Sequence, residues 1–184
     1  MTKTFFLTLS VFLISGCARS PDVPAGSSPS FYDFSDFLDT LALNAALQSV
    51  NKTVIWRGQK ESRTLEGYQW VADIRKFEDF DLNKSALYDK YEVDSLAGKS
   101  GELKSIIYRS IDPKTEVKYF KVVFSDQRVD SIVIDHFRES FIASTKTHLT
   151  ILPEIGYEVR LNEDRLFRDS AETKISLEIL RDSI

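Results

Sequence analysis

Cysteine is almost missing from this chain, with one among 184 residues. That excludes an intramolecular disulfide framework and a multi-cysteine zinc site. Histidine is nearly as scarce, and two residues are too few for a His-rich metal centre. Seven glycines and five prolines exclude a collagen-like or low-complexity chain. Positive charge is not in excess either. Lys and Arg number 24 against 28 Asp and Glu, a formal net charge of −4 that argues against a nucleic-acid-binding face. No P-loop, G-x-G-x-x-G, G-x-S-x-G or D-x-D-x-D-G pattern occurs. What is present is 42% hydrophobic and 12% aromatic, a composition that builds a globular core.

The amino terminus carries the strongest signal. Lys3 precedes an apolar run of ten, Phe5 to Ile14. A membrane-spanning helix needs about 20 residues, so this run reads as the core of a signal peptide. It ends in Ile14-Ser15-Gly16-Cys17, which resembles the lipobox of bacterial lipoproteins: an aliphatic residue, two small residues, then Cys. The resemblance implies cleavage between Gly16 and Cys17 and a diacylglyceryl group on the Cys17 sulfur. The alternative is a plain secretory signal with an incidental Cys. Each buried CH₂ of an acyl chain contributes ~0.8 kcal/mol, so two or three chains anchor firmly. With its only thiol used as the anchor, the chain has none left for a cysteine nucleophile, a redox pair or a thiolate ligand. Loss of Lys3 leaves 23 basic against 28 acidic residues, a net of −5. Ala18 after the Cys does not match the inner-membrane retention pattern, and no acidic export cluster follows. The expected location is therefore the outer membrane, facing the periplasm.

Three domains of use follow: residues 1–16 as signal peptide, 17–30 as lipidated Cys and tether, and 31–184 as one folded domain. Three of the five prolines lie between Ala18 and Ser30, mixed with Ser and Gly, in a composition that stays extended and buries nothing. About 150 residues then suffice for one core.

Within the domain, Phe34, Phe37, Leu38, Leu41, Ala45 and Ala46 make a helical stripe, predicting a helix from about Tyr32 to Val50. Thr53 to Leu65, turning at Arg57-Gly58-Gln59, predicts a short hairpin. Trp70, Val71, Ile74 and Phe77 predict a second helix from about Gly67 to Phe80, and Asp81 to Leu87 a further capped turn. Beyond Tyr88 the period changes to two. Segments near 88–96, 103–111, 116–125, 128–138, 140–152, 156–161 and 171–181 read as strands with short links, hence an antiparallel meander. The expected class is α+β: two N-terminal helices with a short hairpin between them, packed on a meander of about six to seven strands. Val122-Val123-Phe124 and Ile132-Val133-Ile134 are apolar on both faces, from helix packing and sheet curvature or from a groove for an apolar ligand.

No catalytic constellation emerges, and no cofactor or metal site is expected. His136 shares a face with Ile132 and Ile134, and its neighbour Asp135 points to the other face, so it cannot orient that ring. His148 lies on the face of Lys146 and Thr150 and reads as solvated. Ser140 and Ser144 lack a base and orienter in one place. The carboxylates are dispersed apart from Glu78, Asp79 and Asp81, which cluster at the end of the second helix with Asp89 further on and read as a solvated face rather than a glycosidase pair or calcium site, and Arg57, Lys60 and Arg63 make at most a modest basic patch.

One short pattern recurs above chance. Asp, then Ser or Thr, then an aliphatic residue occurs at Asp39-Thr40-Leu41, Asp94-Ser95-Leu96, Asp130-Ser131-Ile132, Asp169-Ser170-Ala171 and Asp182-Ser183-Ile184. It resembles the O-glycosylation acceptor of envelope proteins in the Bacteroidota, which makes Ser95, Ser170 and Ser183 candidate acceptors; the alternative is ordinary strand-and-turn composition. The lipobox, the first helix, the Trp-bearing hairpin, Asp81-Leu82-Asn83-Lys84-Ser85-Ala86-Leu87 and the meander together resemble small envelope lipoproteins of the Bacteroidota. That resemblance implies localisation and architecture and adds no catalytic residue. The functional expectation is a lipid-anchored envelope protein with a non-catalytic binding or scaffolding role. Its partners would be the membrane, through acyl chains on Cys17, and an envelope protein or apolar ligand, but no nucleic acid. The alternative is a carrier or chaperone for lipid or lipoprotein, with an apolar cavity between sheet and helices.

Overall fold

A computed structural model describes residues 31–44 and 48–180, so Gly16, Cys17, the tether and Ser183 lie outside the described residues. The first element among the described residues is helix α1, Phe34–Asn44. Asp33 caps it, its Oδ1 accepting the Asp36 amide at 2.8 Å. Strands β1 (Gln48–Trp56) and β2 (Gln59–Tyr68) follow as a hairpin. Arg57 and Gly58 at its tip both have positive φ, the geometry that matches the twist of paired strands. A four-residue helix α2 (Val71–Ile74) runs into a 3₁₀ helix, Arg75–Phe80, and a 3₁₀ turn, Ser85–Leu87. Seven strands complete the described residues: β3 (Tyr91–Ala97), β4 (Leu103–Ser110), β5 (Val117–Ser125), β6 (Arg128–Glu139), β7 (Ala143–Leu152), β8 (Gly156–Arg165) and β9 (Arg168–Ile179). All nine strands form a single antiparallel sheet in the order β2-β1-β9-β8-β7-β6-β5-β4-β3.

This overturns the expected α+β arrangement of two N-terminal helices packed on six to seven strands. The described residues are mostly strand, and the hairpin belongs to the sheet instead of separating two helices. Three physical reasons account for the difference. First, Gln48 to Val50 leave the expected helix because Val50 has strand partners on both sides, Leu65 and Ile179. The expected contribution of Ala45 and Ala46 falls on residues outside the described set. Second, β2 extends to Tyr68 and consumes the start of the second helix. Third, Ile74, Phe77 and Phe80 recur every three residues, which is the period of a 3₁₀ helix, so the apolar face is kept by tightening the coil.

One face of the sheet is covered by these helical segments. Tyr108, Phe120, Ile134, Leu149, Val159, Ile175 and Val54 are successive cross-strand neighbours and make one apolar rung from β4 to β1. Phe34 and Leu38 of α1 are fully buried against it, and the Phe34 ring meets Phe120 edge-on at 5.5 Å. Burying each such side chain contributes about 1.5–3 kcal/mol. The carrier alternative expects an apolar cavity between the layers. Among the described residues that space holds Phe34, Leu38, Trp70, Ile74, Phe80 and Leu82, all buried.

Candidate functional site on the open sheet face

The opposite face of the sheet is open, and its chemistry concentrates at the middle of β6, β7 and β8. Register sets it. Asp135 faces His148, Phe137 faces Lys146, and on the far side Arg160 and Asn162 face His148 and Lys146. Directly opposed residues in an antiparallel pair project to the same side. Asp135 Oδ1 and His148 Nδ1 meet at 2.6 Å, and His148 Nε2 lies 3.4 Å from Thr150 Oγ1. Both members of the dyad are about half-exposed. They border a depression of about 360 Å³ that Lys118, Phe137, Lys146 and Asn162 also line. The Lys118 ammonium lies 6.0 Å from the Phe137 ring centre.

The dyad has the orienter and base of a hydrolytic triad. Its hydroxyl, however, belongs to Thr150, two residues along the same strand, and lies at the outer limit of hydrogen bonding. The backbone around Thr150 pairs with Val133 on one side and Glu158 on the other. Its amides are therefore spent on the ladder and cannot stabilise a developing oxyanion. What the arrangement can do is recognise: two ammonium groups, an imidazole–carboxylate pair, an amide and one aromatic ring sit on rigid strands.

His136 is placed as its alternation predicted, on the covered face. It is buried, stacked on Phe80 at 4.4 Å and 19°, and its Nε2 lies 3.2 Å from Glu116 Oε2. Burial pushes its pKa below 6.5, against the pull of Glu116. Glu116 is gripped by the Arg138 fork at 3.1 and 3.0 Å, which holds its carboxyl below the usual range. Asp135 is turned away from His136 and is occupied with His148, whose cross-strand partner the sequence reading missed. The missing signal was a turn at Ser140 to Ile142. No Gly, Pro or Asn marks it, because the Ser140 hydroxyl closes the turn through the Ala143 amide and carbonyl at 3.1 and 2.9 Å.

A second polar cluster was also unforeseen. Asp73 Oδ2 of α2 accepts hydrogen bonds from Lys52 Nζ (2.7 Å), Tyr68 OH (3.0 Å) and Tyr157 OH (2.8 Å). Burial raises the Asp73 pKa, but these donors outweigh it and the net shift is downward. Burial, then Asp73 itself, pushes the Tyr157 hydroxyl far up, so it remains a donor. The carboxylates Glu78, Asp81 and Asp89 are spread over separate contacts with Arg75, Asn83 and Lys90. Among the described residues no cluster of three or more metal-ligating groups forms. Ser95 in β3 and Ser170 in β9 are both exposed, and both lie within strands. Thr40 is exposed on α1 and Ser131 half-buried in β6. Gly16, Cys17 and Ser183 are not among the described residues.

No family model matches this chain, and no curated protein sequence matches it. Among solved structures, it is similar to an S-type phycobiliprotein lyase from Guillardia theta, at 9% identity over 85% of this chain and 96% of that one, with a TM-score of 0.28. A likeness at that level carries no argument about function.

Proposed function

We propose that this chain is a lipid-anchored protein of the cell envelope, held by acyl chains on Cys17 in the outer membrane and facing the periplasm. Its role is non-catalytic binding of an envelope protein through the open sheet face. The lipobox Ile14-Ser15-Gly16-Cys17 supports the anchor. The observation that carries the binding role is the depression around Asp135 and His148. It gathers charges of both signs beside an aromatic ring, on strands whose other face is filled by the core. That mixture suits a protein surface better than a small apolar ligand.

Two measurements test the reading. Palmitate labelling of the whole chain in a Gram-negative host is expected to vanish in Cys17→Ala; labelling that persists overturns the anchor. Proximity cross-linking from residue 146 in native membranes is expected to trap one protein, and Asp135→Ala with His148→Ala to weaken that adduct about tenfold or more, since paired polar contacts at an interface centre are worth roughly 2 kcal/mol. Cross-linking unchanged by the double substitution overturns the site. Glycosylation of Ser95, Ser170 or Ser183 is a further proposal of this reading. It requires an intact mass above that of the lipidated polypeptide.

A further inference from the structure

Two adjacent turns at one end of the sheet are apolar where hairpin tips are ordinarily polar. Phe141 in the β6–β7 turn is 93% exposed and Phe167 in the β8–β9 turn 86%. Their neighbours Ile142 and Leu166 are exposed as well, and the two tips are joined, the Leu166 amide donating to the Ile142 carbonyl at 3.1 Å. The β1–β2 tip points to the same end but stops short of it, because Trp56 pairs with Thr173, the sixth residue of β9, and Arg57 donates its amide to the Glu172 carbonyl. Trp56 is half-exposed, with the Arg57 guanidinium 5.1 Å from its ring. Scattered apolar residues on a surface need no explanation, but contiguous ones mark an interaction site. Arg57, Arg165 and Arg168 flank these tips, and long basic side chains beside aromatic rings suit the boundary between headgroups and acyl chains.

The path of the chain identifies the occupant. Phe31 seats its ring on Tyr91 and Tyr108, at 5.7 and 5.3 Å. Tyr91 pairs with Ser110 and donates its hydroxyl to the Val117 carbonyl, both beside the β4–β5 turn. Val117 in turn pairs with His136, close to the β6–β7 tip. The folded domain therefore begins at the end of the sheet that carries the apolar turns. Fourteen residue steps separate Phe31 from Cys17, roughly 50 Å at full extension.

We propose that Phe141, Ile142, Leu166 and Phe167 form a rim that inserts into the interfacial layer of the phospholipid bilayer. The domain then rests with its strands running away from the membrane and the Asp135–His148 face turned sideways. Proximity to the bilayer rests on the anchor at Cys17; insertion rests on the rim.

The test uses the whole chain isolated from membranes and mixed with vesicles of phosphatidylcholine and phosphatidylglycerol brominated in their acyl chains. Trp56→Phe leaves Trp70, fully buried, as an internal control of folding. In that background Phe141→Trp and Phe167→Trp are expected to be quenched and blue-shifted. Leu103→Trp, at the opposite end, is expected to be unchanged. Equal emission at all three positions overturns the rim, as does self-association of the chain that Phe141→Ser with Phe167→Ser abolishes while lipid quenches neither tip. The mass of Cys17 in the same preparation separates the two ideas. Acylation without quenching leaves the anchor standing and removes the rim, and quenching with an unmodified Cys17 does the reverse.

Discussion

The carboxylate of Asp73 joins α2 to three strands through one oxygen, which accepts from Lys52 of β1, Tyr68 of β2 and Tyr157 of β8. Its side chain is 15% exposed, so replacing the charge leaves the Lys52 ammonium and two hydroxyls partly desolvated and poorly paired. Asp73→Asn is expected to cost about 2–3 kcal/mol, a fall in melting temperature of roughly 5–10 °C by scanning calorimetry. A loss below about 0.5 kcal/mol would show that solvent screens the cluster. His136 behaves differently because burial disfavours its charged form. The unfolded chain binds that proton more readily, so the stability His136 contributes is full above about pH 6.5 and drains away as pH falls below it. His136→Gln keeps a donor toward Glu116 and removes the titration. Its denaturation midpoint should change less between about pH 8 and pH 5 than that of the parent chain. Equal slopes would place the pH dependence elsewhere. Alternation alone located His136, since a strand offers two faces and Ile132 and Ile134 on its own face are apolar. Asp73 and the Asp135–His148 pair were not legible in the sequence, because each depends on residues brought together from different elements.

Among the elements, β8 begins under a constraint that one residue resolves. Gly156 has φ +136°, and a Cβ there would lie 1.9 Å from the Leu177 carbonyl oxygen of β9. The obstacle is backbone, so no side-chain rotation relieves it. Gly156→Ala is expected to destabilise by about 3 kcal/mol or more and to loosen the β8–β9 ladder first, read as lost hydrogen-exchange protection at Val159 and Leu177. Protection lost evenly across the sheet would contradict a local cause. The strands from β3 to β9 were legible because some, such as β8 and β9, alternate with a period of two and most are bounded by turn residues such as Gly98, Gly101 and Pro113, which also delimit the apolar runs of β5 and β6. The helices were legible only in part, since α1 falls inside its expected span but ends earlier, and the second helix is mostly 3₁₀. A stripe through Ile74, Phe77 and Phe80 fits a period of 3.0 as well as 3.6 over so short a span, and no Gly or Pro stops the first helix before Val50, whose strand partners come from distant segments.

At the scale of the molecule, the sheet is a local meander fastened by one distant seam. Each strand from β3 to β9 pairs with the next through a short turn, whereas β1 reaches across the chain to β9, with Val50 opposite Ile179. That seam made the sequence hard to read, because no local pattern announces which strand the hairpin will join. The same seam should order folding. Closing a long loop costs entropy before its contacts repay it, so local hairpins form early and the β1–β9 pairing late. Two valines of equal burial, both fully enclosed, separate the stages: Val122 in the meander and Val50 in the seam. Truncation of each to Ala is expected to cost roughly 2 kcal/mol. Val122→Ala should act chiefly by slowing folding, with a φ-value above about 0.5, and Val50→Ala chiefly by speeding unfolding, with a φ-value near zero. Denaturant-dependent kinetics on the whole domain measure both arms. A high φ-value at Val50 would mean that the hairpin docks before the meander is built, and that the sheet grows from its seam outward.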